Sequence, residues 1–233
     1  MRNAKPAGRL STAAPVSRWV HLIIMPHDRA TPYRTVCVFS GHLIDAAGRA
    51  TPRFPAAAEP VAAEAIAAAL ARIGRPGDLG VCGGASGADL MFAETALRGG
   101  LDLHLHLPLP EPAFLATSVD CAGAHWRERY FAVLRDPHTR RYIADERLGR
   151  LPPGRDPYVR NNLWMLDEAQ HLGNGAPACL CLWDGDEDSD RPGGTAHLVR
   201  EAQRRGFPLH WLDTRALFGL AGAVRPETGS GQL

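Results

Sequence analysis

Apolar positions in this chain follow two alternating rhythms. Arg34–Ser40 (RTVCVFS) is a β-branched and aromatic run between Pro32 and Gly41, and it predicts a buried strand. Gly41–Pro55 has two prolines, two glycines and no period, so it predicts a loop at that strand's carboxyl end. Val61, Ile66, Leu70 and Ile73 then recur at helical spacing through Glu59–Ile73, until Gly74 and Pro76 stop the pattern. Leu79–Cys82 predicts a second strand, and Ser86–Arg98 a second helix ended by Gly99 and Gly100. Leu101–Leu107 alternates as Leu-Asp-Leu-His-Leu-His-Leu, the period of a strand with one apolar face, closed by Pro108 and Pro110.

Phe114–Asp120 predicts a turn and Trp126–Leu134 a helix. Residues 135–157 are charged, proline-bearing and weakly periodic, and are expected to form a surface excursion without assigned structure. Helical spacing resumes over Tyr158–Leu172 and stops at Gly173; Met165 on that helix is expected in the core. Pro177–Trp183 is a strand, Gly194–Arg205 a helix ended by Gly206, and Pro208–Leu212 a further strand. Strands alternating with helices predict an α/β fold: a single Rossmann-like three-layer domain, with a mainly parallel sheet of about five strands and helices on both faces. The expected boundaries are a flexible N-terminal extension at 1–33, the domain at 34–213 and a C-terminal tail at 214–233, frayed beyond about Gly222.

The chain has 233 residues, enough for one sizeable core, and a formal net charge of +1, which supplies no global field for nucleic acid or an anionic membrane. Lys5 and seven arginines stand against Asp28 and Asp45 within residues 1–53, which reads as a solvated arm. The five cysteines form no Cys-x-x-Cys pair. Four of them, Cys37, Cys82, Cys179 and Cys181, fall in predicted strands, where reduced thiols pack as small apolar groups. No run reaches the length of a membrane span, and a cytoplasmic location is expected.

Composition leaves function open, but two glycine-rich turns narrow it. Gly83-Gly84-Ala85-Ser86-Gly87-Ala88-Asp89 and Pro192-Gly193-Gly194-Thr195 each follow a predicted strand and open a predicted helix. Glycines let the backbone approach a ligand closely, and the free amides and positive dipole end of the following helix attract an anion. In an open parallel sheet such turns lie at the carboxyl ends of the strands, where ligands bind.

Gly-Gly-Ala-Ser-Gly-Ala-Asp at 83–89, Ala93-Glu94, Asn162-Leu163-Trp164-Met165-Leu166-Asp167 and Pro-Gly-Gly-Thr at 192–195 together resemble the ordered signature of the SLOG superfamily. These are Rossmann-like domains similar to DNA-processing protein A and the Lonely Guy enzymes. The likeness spans roughly residues 34–213 and extends to Ser40-Gly41-His42, Arg53-Phe54-Pro55 and His-Trp-Leu-Asp-Thr at 210–214. It implies a nucleotide-derived ligand. Gly83, Gly84, Ser86, Gly87 and Asp89 would shape one lip of the cleft, and Gly193, Gly194 and Thr195 the other, with Ser40 and Gly41 after the first strand also among the ligand-binding residues. Asn162 would project toward a ribose or base edge, and Arg160 toward a phosphate.

The Lonely Guy signature places a catalytic glutamate three residues after its threonine. Here Leu198 stands three places after Thr195, so the resemblance implies binding or sensing of a nucleotide without turnover. The alternative is a phosphoribohydrolase that cleaves an N-glycosidic bond with Asp89 or Glu94 as its carboxyl group. A second alternative is a protein-interaction module with a vestigial pocket. No cofactor is assigned, and a homo-oligomer or an effector protein stays open as a partner.

His104 and His106 share one face of their predicted strand, a pair able to give a metal two ligands. No third ligand stands at diagnostic spacing, and no metal is assigned. Asp184, Asp186, Asp188 and Asp190 alternate like the start of a calcium loop, but Ser189 and Thr195 occupy its glycine and glutamate places, so a solvated acidic loop is expected.

Overall fold

The computed structural model describes residues 32–46, 48–187 and 192–220. Most of the N-terminal extension, the far tail, and Asp188 and Asp190 lie outside the described residues. Six strands, β1 (Val36–Gly41), β2 (Leu79–Cys82), β3 (Asp102–Leu107), β4 (Thr139–Ile143), β5 (Ala178–Trp183) and β6 (Leu209–Asp213), form one sheet. Every pairing is parallel, in the order β4-β3-β2-β1-β5-β6. The chain runs outward one way from β1 to β4 and the other way through β5 to β6. The strand order therefore reverses between β1 and β5, where α/β sheets open their ligand crevice.

Between the strands run α1 (Glu59–Ile73), α2 (Ala88–Arg98), the short α3 (Glu111–Phe114), α4 (Ala124–Arg135), the short α5 (Ala144–Leu148), α6 (Pro157–Leu172) and α7 (Thr195–Arg204), with α8 (Thr214–Phe218) after β6. The helices lie on both faces of the sheet, giving the three layers of a Rossmann-like α/β domain. Alternate residues of one strand feed the two cores. Cys37 and Phe39 of β1 pack with α1 and α2, while Val36 and Val38 pack with α6 and α7. Phe39 stacks on Phe92 of α2 at 4.6 Å between ring centroids, and burying each ring stabilises the fold by about 1.5–3 kcal/mol. Met165 is buried in the second core, as expected. The four strand cysteines are buried, which raises their thiols well above the ordinary range and keeps them protonated.

Three expectations are corrected. The sheet has six strands because β4 lies inside the supposed excursion at 135–157, and α5 follows it directly. This strand is at the sheet edge and carries exposed Arg140 and Arg141, charges that guard an edge while hiding its period. Tyr33, placed in the extension, is buried; its hydroxyl donates to Asp102 at 2.9 Å, and its backbone pairs with Leu172 and Asn174. Residues 214–218 of the tail form α8, whose first turn is capped by the Asp213 carboxylate accepting from the Arg215 amide.

No helix of the described residues is long and apolar enough to cross a membrane. The start of α6 does most to position side chains at the crevice and on β3. Asp156 accepts from the Tyr158 and Val159 amides at 2.8 and 2.9 Å, and Pro157 occupies the first helical position. That cap fixes where Asn161, Asn162 and Glu168 face.

Candidate functional site

The loops that leave β1, β2 and β5 meet above the point where the strand order reverses. Ser40, near the end of β1, and Thr195, the first residue of α7, share a hydrogen bond at 3.1 Å between their hydroxyls. Gly41 is needed there because a Cβ would fall 2.5 Å from that of Ala88, the first residue of α2. Ser40 and Gly41 therefore lie between the two glycine turns, one touching Thr195 and the other packed on Ala88.

The first glycine turn is filled from within. Asp89 is buried on the first turn of α2, and its Oδ1 accepts from the Gly41 amide at 3.2 Å. The amides of Gly83, Gly84 and Ala85 also face this carboxyl. Burial raises its pKa to about 7, against the lowering effect of those amides. The groups expected to cradle a phosphate thus already hold an acidic side chain. At Gly87 the loop is packed shut: φ is +89°, and a Cβ would lie 2.6 Å from the Ile44 nitrogen and 2.9 Å from the His42 carbonyl oxygen. Ser86 is buried and its hydroxyl has no hydrogen-bond partner, although its amide donates to the Ser118 carbonyl at 2.8 Å.

The second turn is held from below. Asn162 Nδ2 donates to the carbonyls of Gly193 and Gly194 at 2.8 and 3.3 Å and lies 3.2 Å from His197 Nδ1. Its amide nitrogen is committed to shaping the lip, a positioning role where the resemblance implied direct ligand contact. Gly193 sits against the start of α6, with no room for a Cβ beside Tyr158. The Tyr158 hydroxyl in turn lies 3.2 Å from that of Ser118, whose carbonyl accepts from Ser86 of the first turn.

Arg160 and Glu94 are engaged elsewhere. The two terminal nitrogens of Arg160 reach the Gly149 carbonyl at 2.8 Å and Asp145 at 2.6 Å. Glu94 is gripped through both carboxylate oxygens by Arg129 of α4, at 2.7 Å each, and Arg129 also reaches Glu59. In that clamp Glu94 is a poor acid–base group.

Two further clusters were not legible in the sequence. Asp184, expected in a solvated loop, is buried directly after β5. Arg53 Nε donates to its Oδ2 at 3.0 Å, and the Asp184 amide donates to His42 Nε2 at 3.1 Å. His42 Nε2 is also 3.1 Å from Asp184 Oδ1, but a nitrogen accepting from the amide cannot donate to the carboxylate at the same time. Burial works against the Asp184 charge, yet hydrogen bonds from Arg53 and from the Asp186 amide help to hold its carboxyl well below the usual range. The signal in sequence was a histidine after β1 and an acid after β5, at the two ends that bound the crevice.

The second cluster lies on the α6 face of β3. His104 Nδ1 is 2.6 Å from Glu168 Oε1, and His106 Nε2 is 3.2 Å from the same oxygen but outside hydrogen-bonding alignment. Burial alone would raise the Glu168 carboxyl; the imidazoles of His106 and His104 hold it below the usual range. Burial disfavours the imidazolium of His104, so its hydrogen bond to Glu168 is best read as a neutral Nδ1–H donating to a carboxylate. Asn161, Met165, Glu168 and Leu172 are buried at spacings of four, three and four on α6. A glutamate on that inward stripe was the available clue.

No protein-family model and no curated protein matches the chain.

Proposed function

We propose that this domain binds a nucleotide or nucleotide-derived small molecule at the carboxyl ends of β1, β2 and β5, without turnover. One observation supports the reading most strongly. The Gly193–Thr195 turn is fastened from the protein side by Asn162 and Ser40, and it opens α7 at the point where the strand order reverses. Amides at such a helix end, with its positive dipole, favour a phosphate-sized anion. The first turn then serves as a wall, since Asp89 occupies its amides. A thermal-shift screen of the purified chain over mononucleotides, NAD and cyclic nucleotides should show one class raising Tm, with the rise diminished in Asn162→Ala.

Asp89 also favours a second reading. A buried carboxyl with a pKa of about 7 has the protonation balance of a general acid–base group near neutrality. N-glycosidic cleavage would then release free base from a nucleoside monophosphate, and Asp89→Asn would abolish that release. No free base from any nucleotide that binds would leave the sensor reading standing alone.

A further inference from the structure

We propose that His104, His106 and Glu168 form a binding site for one divalent transition-metal ion of the zinc class. The ion would fasten β3 to α6. This inference does not rest on the nucleotide reading.

All three side chains are buried, and their donor atoms lie within 4.8 Å of one another. His106 is fully buried, and neither of its ring nitrogens has a hydrogen-bond partner. An imidazole in that state has an unused lone pair, and its Nε2 lies 3.2 Å from Glu168 Oε1. Two neutral imidazoles and a carboxylate are the donor set that zinc-like ions take, with a fourth position left for water. The cluster also buries a carboxylate between groups that carry no charge when neutral. A divalent cation adds to the stabilisation that the two imidazoles give that charge.

The scaffold is rigid enough to select an ion. His104 and His106 sit on an interior strand paired on both sides, to β2 and to β4. Asn161 Nδ2 donates to the His106 carbonyl at 2.8 Å, so β3 and α6 are clamped at a second point. The rings of Tyr142 and Trp164 enclose the histidines, with centroids 5.0 Å from His104 and 4.3 Å from His106 respectively. Ligand bonds of about 2.0–2.2 Å place donor atoms roughly 3.3 Å apart. The 3.2 Å contact already has that spacing, and the 2.6 Å contact between His104 and Glu168 reaches it with a movement of under about 1 Å.

The test uses the full-length chain without an affinity tag, stripped with chelator and re-equilibrated with Zn²⁺. Mass spectrometry of metal content after desalting should find about one ion per chain, and Zn²⁺ should raise Tm. Glu168→Gln and His106→Asn should lose both, whereas Asn162→Ala should keep both, which separates this site from the nucleotide cleft. Cobalt(II) on the unmodified chain should give visible absorption bands of a low-coordinate nitrogen and oxygen site, a readout that holds if a variant fails to fold. No ion retained and no cobalt bands from the folded wild-type chain would overturn the proposal. So would equal uptake by folded Glu168→Gln.

Discussion

At Gly83–Asp89 the amides freed by the turn face a carboxyl of the same turn, and the loop is packed against His42 and Ile44. At Gly193–Thr195 the carbonyls of both glycines are held by Asn162, and the Thr195 hydroxyl meets that of Ser40. Two stretches with the same glycine-rich look thus differ in what completes them. One is closed by its own acid; the other is braced from behind by side chains of α6 and β1. A glycine pair between strand and helix signals close backbone approach, and only the neighbouring side chains decide whether protein or ligand makes that approach.

The contrast is most exposed to test at Gly87. Alanine there adds a left-handed strain and a clash with backbone atoms of the β1 loop, so Gly87→Ala should cost about 3 kcal/mol or more in urea unfolding. Gly84→Ala, whose Cβ would meet only Leu105 side-chain atoms at 3.4 Å, should cost about 1 kcal/mol. Equal losses at the two positions would mean that the first turn is not packed as described.

Asp89 extends the contrast to pH. Its carboxyl is raised from an ordinary 3.8 to about 7, so between those values the folded chain holds a proton that the unfolded chain releases. Stability should therefore fall as pH climbs from about 4 to about 7, and Asp89→Asn should remove that part of the slope. A wild-type curve identical to that of the variant would place the carboxyl in water.

Smaller effects are expected at the second turn and beyond it. Asn162→Ala removes two hydrogen bonds to turn carbonyls and should cost about 1–2 kcal/mol. Glu94→Gln weakens a partly exposed clamp with Arg129 and should cost about 1 kcal/mol or less, without changing any nucleotide response. A lost response there would return Glu94 to the site.

The strand and helix rhythm was legible wherever burial was two-sided or a helix had one apolar stripe: α1 and β2 have the bounds their sequence implies. The edge strand β4 was not, because Arg140 and Arg141 face solvent and only Ile143 is buried. Ser40, Asp89, Asn162 and the glycines could be named from local pattern. Their connections could not, since Ser40 meets Thr195 across 155 residues and Arg53 meets Asp184 across 131. Glu168 joins His104 across 64 residues, a pairing that appears only once α6 lies on β3.

Calorimetric titration of the intact chain with the nucleotide that most raises its Tm, repeated with Asn162→Ala, bears most closely on the proposed cleft. Saturable binding to the wild type is expected, with an affinity about tenfold lower in the variant, equivalent to about 1.4 kcal/mol. Binding unchanged by Asn162→Ala, or no nucleotide bound at all, would contradict a ligand site braced by that side chain.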